Sequence, residues 1–252
     1  MRINTDINIL GGLSDWNLIE TFLTEDMQSI QSKGGTRNFS SIRTDRSVAR
    51  FEKAIRMTLL SFQNTEIGSI FRSMLGNKGS SADTLLFLLW NASYNNDLLH
   101  YINKMVYFPA YYSGRVAIRR EEVEACISDL KATEDALKKW SAETIQTTAS
   151  KYLTLLKKFG LMEGTSKKTI IHHFLSDEMF ILLLYWLRAV SEQSNLLKSE
   201  WMSYSMSELQ PFLDRIMQKQ YTKYFNVTYT GDKLQIETKI SYDLIYDYIN
   251  KP

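Results

Sequence analysis

The stretch SAETIQTTASKYLTLLKKFGLMEG, residues 141–164, decides the fold of this chain. Its apolar side chains recur at intervals of four, three, four and three residues: Ile145, Ala149, Tyr152, Leu156 and Phe159. This spacing predicts an amphipathic helix whose apolar side faces a core. Gly160 ends the predicted helix, and the apolar pair that follows it returns the chain to the core.

The opposite side of this helix is polar, and between residues 146 and 158 the chain contains three cations and no carboxylate. The side chains on it are Gln146, Thr147, Ser150, Lys151, Thr154, Lys157 and Lys158. A carboxylate-free face followed by a basic turn at Lys167 and Lys168 favours contact with a polyanion. A solvated surface face is the alternative interpretation.

The same segment resembles the recognition helix of winged helix-turn-helix modules. The matching residues are Thr148, Ala149, Lys151, Leu153, Leu156, Gly160 and Leu161. The resemblance implies a helix-turn-helix between about Trp140 and Ile171, with its second helix in a major groove. In that position the polar side chains meet base edges, and the lysines of the helix and of the turn meet phosphates.

A second cationic feature lies nearer the N-terminus. Arg43, Arg46, Arg50 and Lys53 are spaced by three, four and three residues. A helix that starts at about Thr44 places the last three on one stripe, with Arg43 just before it. Because a guanidinium can donate two parallel hydrogen bonds to a phosphate, these residues are candidate nucleic-acid contacts. Pairing with acidic side chains elsewhere on the surface is the alternative.

Helical periodicity and only three prolines predict a mainly α-helical protein. We divide it into a helical domain, residues 1–112, and a winged helix-turn-helix-like domain, residues 113–252, with the stretch YYSGRVAIRR, residues 111–120, as the connector. Alternating apolar residues about the turn TGDK predict a β-hairpin over residues 225–239, followed by a short helix from Tyr242 to Ile249. A helix over 207–219 that leads into this hairpin resembles a degenerate second copy of the helix-and-wing design.

Further helices are predicted from apolar spacing and capping residues. The first starts at Ser14 or Asp15, and others cover about 44–62, 66–75, 81–92, 96–107 and 119–140. Pro109 is expected to stop the helix over 96–107. The last of these helices has acids near its start and lysines near its end, which complements the helix dipole.

Composition excludes several function classes. The most apolar run, Met179–Leu187, has nine residues, whereas a helix needs roughly 20 to span a bilayer. No membrane segment is therefore expected, and the run is predicted to form a buried helix. A single cysteine, Cys126, and the lack of a signal-peptide pattern predict a cytoplasmic protein. The net charge of +2 is too small to indicate a polyanionic partner, so that argument depends on local clusters.

Cofactor and catalytic motifs are not recognised in the sequence. His172 and His173 are adjacent, so in a strand they point to opposite faces and cannot chelate one ion together. Cys126 has no evident neighbouring base, and GNKGSS at residues 76–81 lacks the spacing of a P-loop. We therefore expect a non-enzymatic protein without a metal or cofactor.

One nuclease pattern is a minor alternative. Asp232, Glu237 and Lys239 resemble the acid and Glu-x-Lys arrangement of metal-dependent nucleases. Asp232 falls in the tight turn of the predicted hairpin, and this spacing does not obviously bring two carboxylates to one Mg²⁺.

In layout the chain resembles the BrxA family, the small component of BREX phage-exclusion systems in bacteria. The resemblance rests on the length, on the closing hairpin and on these residues: Gly12-Leu13-Ser14, Trp16, Trp140, Thr144, Tyr152, Leu156 and Gly160-Leu161. It implies a helical protein that binds double-stranded DNA and catalyses no reaction. It also implies other BREX proteins as partners, in a complex that methylates host DNA and blocks phage replication.

Two other functional classes fit the same features. In a protein-interaction adaptor, the same helix docks a partner and the hairpin adds an edge strand. An RNA-binding helical factor of the antitermination type uses similar basic helices.

Overall fold

The computed structural model describes residues 3–13, 45–165 and 167–250, and its architecture is mainly α-helical. The α-helices are α1 (Asp6–Gly12), α2 (Asp45–Ala54), α3 (Thr65–Lys78), α4 (Ala82–Asn95), α5 (Asp97–Ile102), α6 (Phe108–Tyr112), α7 (Arg120–Thr133), α8 (Ala142–Lys158), α9 (Asp177–Val190), α10 (Leu209–Ile216) and α11 (Tyr242–Asn250). The antiparallel strand pairs are β1 (Met162–Glu163) with β2 (Thr169–Ile170), and β3 (Phe225–Tyr229) with β4 (Leu234–Thr238). The predicted mainly α fold with a small C-terminal hairpin is confirmed.

Short segments of other helix types connect these elements. Two π-helical segments, Ile55–Leu59 and Asn103–Tyr107, continue α2 and α5. Turns of 3-10 helix lie at Asp135–Leu137, Leu196–Lys198, Glu200–Ser205 and Lys219–Tyr221.

Tertiary contacts divide the chain into two compact units. One unit contains residues 1–61 and 79–171, and the other contains residues 62–78 and 172–252. Helix α3 therefore belongs to the second unit although the segments on both sides of it belong to the first. The division predicted between residues 112 and 113 falls inside the first unit and stays a prediction.

In the first unit α8 is the main packing element. Ser141 caps its start, because the Ser141 hydroxyl accepts a hydrogen bond from the Thr144 N–H at 3.1 Å. The five apolar residues that were predicted to face a core are buried, and α7 packs against this helix. The buried Tyr152 hydroxyl donates to Asn103 Oδ1 at 2.8 Å, which ties α8 to the π-helical segment after α5.

A tight turn and a small hairpin follow α8. Gly160 has φ +79°, a backbone conformation that favours glycine, and the Leu161 N–H donates to Leu156 O at 2.9 Å. The chain then forms β1 and β2, and Ala117 makes an antiparallel bridge to Thr169 at the outer side of β2. The order from α7 onward is thus helix, turn, helix and hairpin, with a third extended segment beside the hairpin.

Helix α1, which the sequence analysis did not predict, lies along α8. Asn8 Nδ2 donates to Thr148 Oγ1 at 3.1 Å. A Cβ atom at Gly11 would lie under 3.0 Å from the backbone carbonyl oxygen of Lys151, closer than side chains approach in folded proteins. The two backbones can touch because Gly11 has no side chain. Helix α2 also packs against α1.

The second unit is built around α9. The apolar run predicted to form a buried helix, Met179–Leu187, is buried at every position. The Tyr185 hydroxyl on this helix donates to Ile240 O at 2.7 Å, close to the end of β4. The hairpin predicted over 225–239 is present, with Phe225 opposite Thr238 and Gly231 at φ +90° in its turn.

Three predicted helix boundaries were wrong. The helix over 119–140 ends at Thr133, because the chain needs a turn before α8, and Lys131 Nζ fixes that turn by donating to Trp140 O at 2.6 Å. Pro109 does not end the helical backbone after residue 107. It lies in the first turn of α6, where a backbone N–H has no partner within the helix, so proline is tolerated. The helix over 207–219 is shorter, Leu209–Ile216. The helix predicted from Ser14 lies outside the described residues.

The contact between α1 and α8 predicts different effects for two neighbouring glycine substitutions. Gly11→Ala should lower the free energy of unfolding of the first unit by about 1–3 kcal/mol, because the added methyl group meets backbone that cannot move aside. Gly12→Ala is the matched control, since its methyl group would meet only the flexible end of Lys151, with Nζ at 3.8 Å. Urea titrations followed by circular dichroism measure both, and equal midpoints would contradict the proposed packing.

Candidate nucleic-acid interface

The outward stripe of α8 is the part of this helix that neither the core nor α1 covers. Beyond the first turn, where Glu143 is also exposed, it consists of Gln146, Thr147, Ser150 and Lys157, which are exposed as predicted. Thr154 lies between the last two and is half-buried, with its hydroxyl donating to Ser150 O at 2.9 Å. Uncharged amide and hydroxyl groups of this kind form hydrogen bonds with base edges in a major groove.

Lysine side chains connect the hairpin to α8. Lys157 Nζ donates to Gly164 O at 2.8 Å, in the turn between β1 and β2. Lys168 Nζ donates to Thr154 Oγ1 at 3.0 Å. Burial lowers the pKa of Lys168, and the positive charges of Lys157 and Lys151 lower it further. The ammonium groups of Lys157 and Lys151 are therefore close enough to repel that of Lys168.

No acidic side chain in the described part of the chain forms an ion pair with this cluster. The ion pairs of the first unit lie elsewhere and leave Lys151, Lys157, Lys167 and Lys168 without a carboxylate partner among residues 3–13, 45–165 and 167–170. Like charges gathered without counter-charges raise the local electrostatic potential. Cations outnumber carboxylates around the outward stripe and make this surface electropositive, although Glu143 of α8 and Glu163 of β1 are also exposed.

A groove of about 820 Å³ borders the outward stripe between the start of α7 and the hairpin. Ser150 and Leu153 of α8 form part of its wall, and five cations line it: Arg115, Arg119, Arg120, Lys167 and Lys168. Glu121 is the acidic residue in the lining. We call this cavity the basic groove.

Two of the groove arginines are already paired. Arg115 donates to both carboxylate oxygens of Glu122, at 2.6 and 2.7 Å, and this guanidinium holds the pKa of Glu122 below its usual range. Arg120 lies 2.7 Å from a carboxylate oxygen of Glu124. Arg119 makes no ion pair with a described residue, so it and the hairpin lysines are the available cations of the groove.

The sequence analysis missed the groove arginines because it treated residues 111–120 as a connector. The signal was present in RVAIRR, residues 115–120, where three arginines flank an apolar segment that could add to a sheet edge. The bridge between Ala117 and Thr169 brings this segment to the hairpin. Arg119 and Lys167 thereby become neighbours of one groove.

The expectation that Lys158 faces outward was wrong. Its ammonium group donates to the carbonyl oxygens of Leu10 at 3.0 Å and Gly11 at 3.3 Å, and also to that of Leu13. These carbonyls lie at the end of α1, where intrahelical partners are lacking. Burial, followed by the charge of Lys151, lowers the pKa of Lys158 to about 8. Lys158 holds α1 in place and is not available to a phosphate.

The remaining predicted cations lie on α2 and beside α1. Arg46, Arg50 and Lys53 are exposed on α2, and we call them the α2 stripe. Lys151 is half-buried beside Gly12. Arg43 lies outside the described residues.

Other candidate chemistry finds no support in the geometry. Within the described ranges no three His, Cys, Asp or Glu side chains could hold one metal ion. Burial raises the pKa of the Cys126 thiol to about 11, which disfavours the nucleophilic thiolate. Asp232 Oδ1 accepts a hydrogen bond from the Thr230 hydroxyl at 3.1 Å within the hairpin turn.

Comparison with known proteins identifies one family. Residues 17–184, two thirds of the 252-residue chain, match the model of the family described as BrxA. No curated protein and no solved structure matches the chain. In residues 3–13, 45–165 and 167–250 every helix is too short or too polar to cross a membrane.

The buried ammonium group of Lys158 predicts a pH-dependent difference between the wild type and Lys158→Met. The folded pKa is about 8 against an ordinary 10.5, so between these values the unfolded chain holds a proton that the folded chain has lost. Stability due to this group therefore rises as the pH increases through that window. Denaturant titrations from pH 7.5 to 10 should show the wild type gaining free energy of unfolding relative to the variant. Lys168 and the tyrosines are common to both proteins and cancel, so parallel curves would refute the assignment.

Proposed function

This chain belongs to the BrxA family, and from that premise we propose that it is a non-enzymatic, double-stranded DNA-binding component of a BREX phage-defence system. Family membership itself suggests a role related to BREX. Binding to DNA, the absence of catalysis and the surface that makes the contact are our additions. They rest on the geometry of the first unit.

The observation that carries the proposal is the cluster of cations beside the outward stripe that form no ion pair with a described residue. Lys157, Lys167, Lys168 and Arg119 surround uncharged hydrogen-bonding side chains on one exposed surface. Duplex DNA offers the matching arrangement, with base edges in a groove and a phosphate row on each side. Burial is the main cause of the lowered pKa of Lys168, and binding to phosphates would offset the further lowering by the charges of Lys157 and Lys151.

The dimensions of α8 and its connections fit a major groove. A helix with its side chains is about 10–12 Å across, and the major groove of B-DNA is about 12 Å wide. With α8 in the groove, Gln146, Thr147 and Ser150 lie nearest the base edges. The hairpin then reaches the phosphates beside the groove through Lys167 and Lys168, as a wing does. The succession of α7, turn, α8 and hairpin supports this arrangement.

Several contacts keep the outward stripe and the adjoining hairpin rigid. Tyr152 is bonded to Asn103 below the helix, and Lys157 is bonded to the hairpin turn at Gly164. Gly164 has φ +89° and leaves no room for a Cβ atom beside Lys167 O, so a side chain there would disturb the turn. A surface held in this way loses little conformational entropy when it binds.

Partner proteins of the BREX system are part of the proposal, and one feature of the second unit favours them. Phe174 is 85% exposed, and its ring stacks on the Arg215 guanidinium at 4.7 Å. Arg215 is itself held by Asp177 at 2.7 Å. A large exposed aromatic ring on a rigid support is typical of a protein-interaction surface.

We predict that Arg119→Gln, Lys157→Gln and Lys167→Gln, made together, weaken binding to a 24-bp duplex at least about tenfold. Each lost phosphate contact should reduce the slope of log Kobs against log salt by about 0.9, so three should reduce it by about 2.7. Fluorescence anisotropy at four salt concentrations measures both quantities.

The matched control removes the same charge from exposed lysines of the second unit, Lys198→Gln, Lys219→Gln and Lys233→Gln. It should bind the duplex nearly as the wild type does. An equal loss in both variants would mean that only net charge matters, and would overturn the assigned surface. If structured RNA competes better than the duplex, RNA and not DNA is the ligand. If no binding that depends on salt is found, the adaptor interpretation replaces the proposed function.

A further inference from the structure

We propose that the α2 stripe and the cations around α8 form one continuous surface that contacts a single DNA duplex. This inference rests on the proposed function and adds a second contact region to it. Lys53 of the α2 stripe and Lys151 of α8 are 98 positions apart in sequence. The two regions meet at the end of α1.

Gly12 is the meeting point. It is exposed, and a Cβ atom built on it would lie 3.8 Å from Lys151 Nζ, on the α8 side. Gly12 also lines a small cavity of about 170 Å³ together with Arg50 and Ser47 of α2. Lys151 and Arg50 therefore flank the same exposed end of α1, one from each side.

The α1 helix holds the two regions in a fixed relation. Lys158 binds three carbonyls at its end, Asn8 binds Thr148, and Gly11 contacts the α8 backbone. Helix α2 packs on the same short helix. Because packed helices lie about 8–10 Å apart, the axis of α2 lies within about 20 Å of the axis of α8.

The α2 stripe is as free of counter-charges as the α8 cluster. Arg46, Arg50 and Lys53 form no ion pair with any residue of the described ranges. Glu52, the acid next to Lys53 on this helix, is bonded to Arg56 at 3.1 Å. Three exposed cations thus extend the electropositive surface past Gly12.

The distance between the axes of α2 and α8 determines which part of the duplex α2 can contact. With α8 in a major groove about 12 Å wide, an element up to about 20 Å away lies over the phosphate backbone that borders the groove. The α2 stripe therefore contacts phosphates and not base edges. At 3.4 Å per base pair, 20 Å corresponds to about six further base pairs, so the contact needs a longer duplex than α8 alone.

The first test uses Arg46→Gln, Arg50→Gln and Lys53→Gln together in the full chain. For a 24-bp duplex we expect about tenfold weaker binding and a salt slope reduced by about 2.7, with the preference among duplex sequences unchanged. For a 10-bp duplex we expect a much smaller loss. An unchanged slope on the 24-bp duplex, or two duplexes bound per chain, would overturn the proposal.

The second test addresses the meeting point. Gly12→Asp places a carboxylate between Lys151 and Arg50, and should weaken binding to the 24-bp duplex severalfold. Gly12→Asn is the matched control, with the same shape and no charge, and should bind like the wild type. Equal affinities would show that no phosphate lies near Gly12. If the wild type binds no duplex, the proposed function fails as well, whereas loss confined to the α8 variant would refute only the continuous surface.

Discussion

The first unit depends on the direct contact between α1 and α8. Gly11 allows the backbone of α1 to touch the carbonyl of Lys151, and the Lys158 ammonium closes the same contact from the end of α8. This contact covers one side of α8 while the apolar stripe covers another. What remains exposed is a narrow row of polar side chains. The exposure of that row and the position of α2 beside it both depend on how α1 packs against α8.

Lysines of the same helix have opposite roles because their surroundings differ. Lys158 is half-buried against three carbonyl oxygens, which lie at the negative end of a helix and accept its hydrogen bonds. Lys157 is exposed, and two of its three donors remain after its bond to Gly164. Of these two neighbouring lysines, Lys158 stabilises the packing of α1, whereas Lys157 contributes its charge to the exposed electropositive surface.

Local periodicity was sufficient to predict some elements and insufficient for others. The core side of α8, the buried run of α9 and the C-terminal hairpin were predicted because spacing, capping and turn residues act within a few positions. The role of Lys158 was missed because its partners lie about 145 residues away at Leu13. The basic groove was missed because a bridge between Ala117 and Thr169 assembles it. Such features depend on tertiary contacts, which the periodicity of apolar residues does not predict.

The electrostatics of the first unit are consistent with a fold adapted to a polyanion. Burial, and after it the charges of Lys157 and Lys151, lower the pKa of the half-buried Lys168, so its charged form is disfavoured in the folded state when no anion is present. A ligand that binds the folded state and neutralises these charges stabilises it by mass action. The carboxylates that would remove the repulsion, such as Glu122 and Glu124, are instead bonded to arginines at the groove wall. Because these two acids are paired with arginines, they do not neutralise Lys157 and Lys168, which have no carboxylate partner among the described residues. That charge distribution is the one that the proposed DNA ligand would complete.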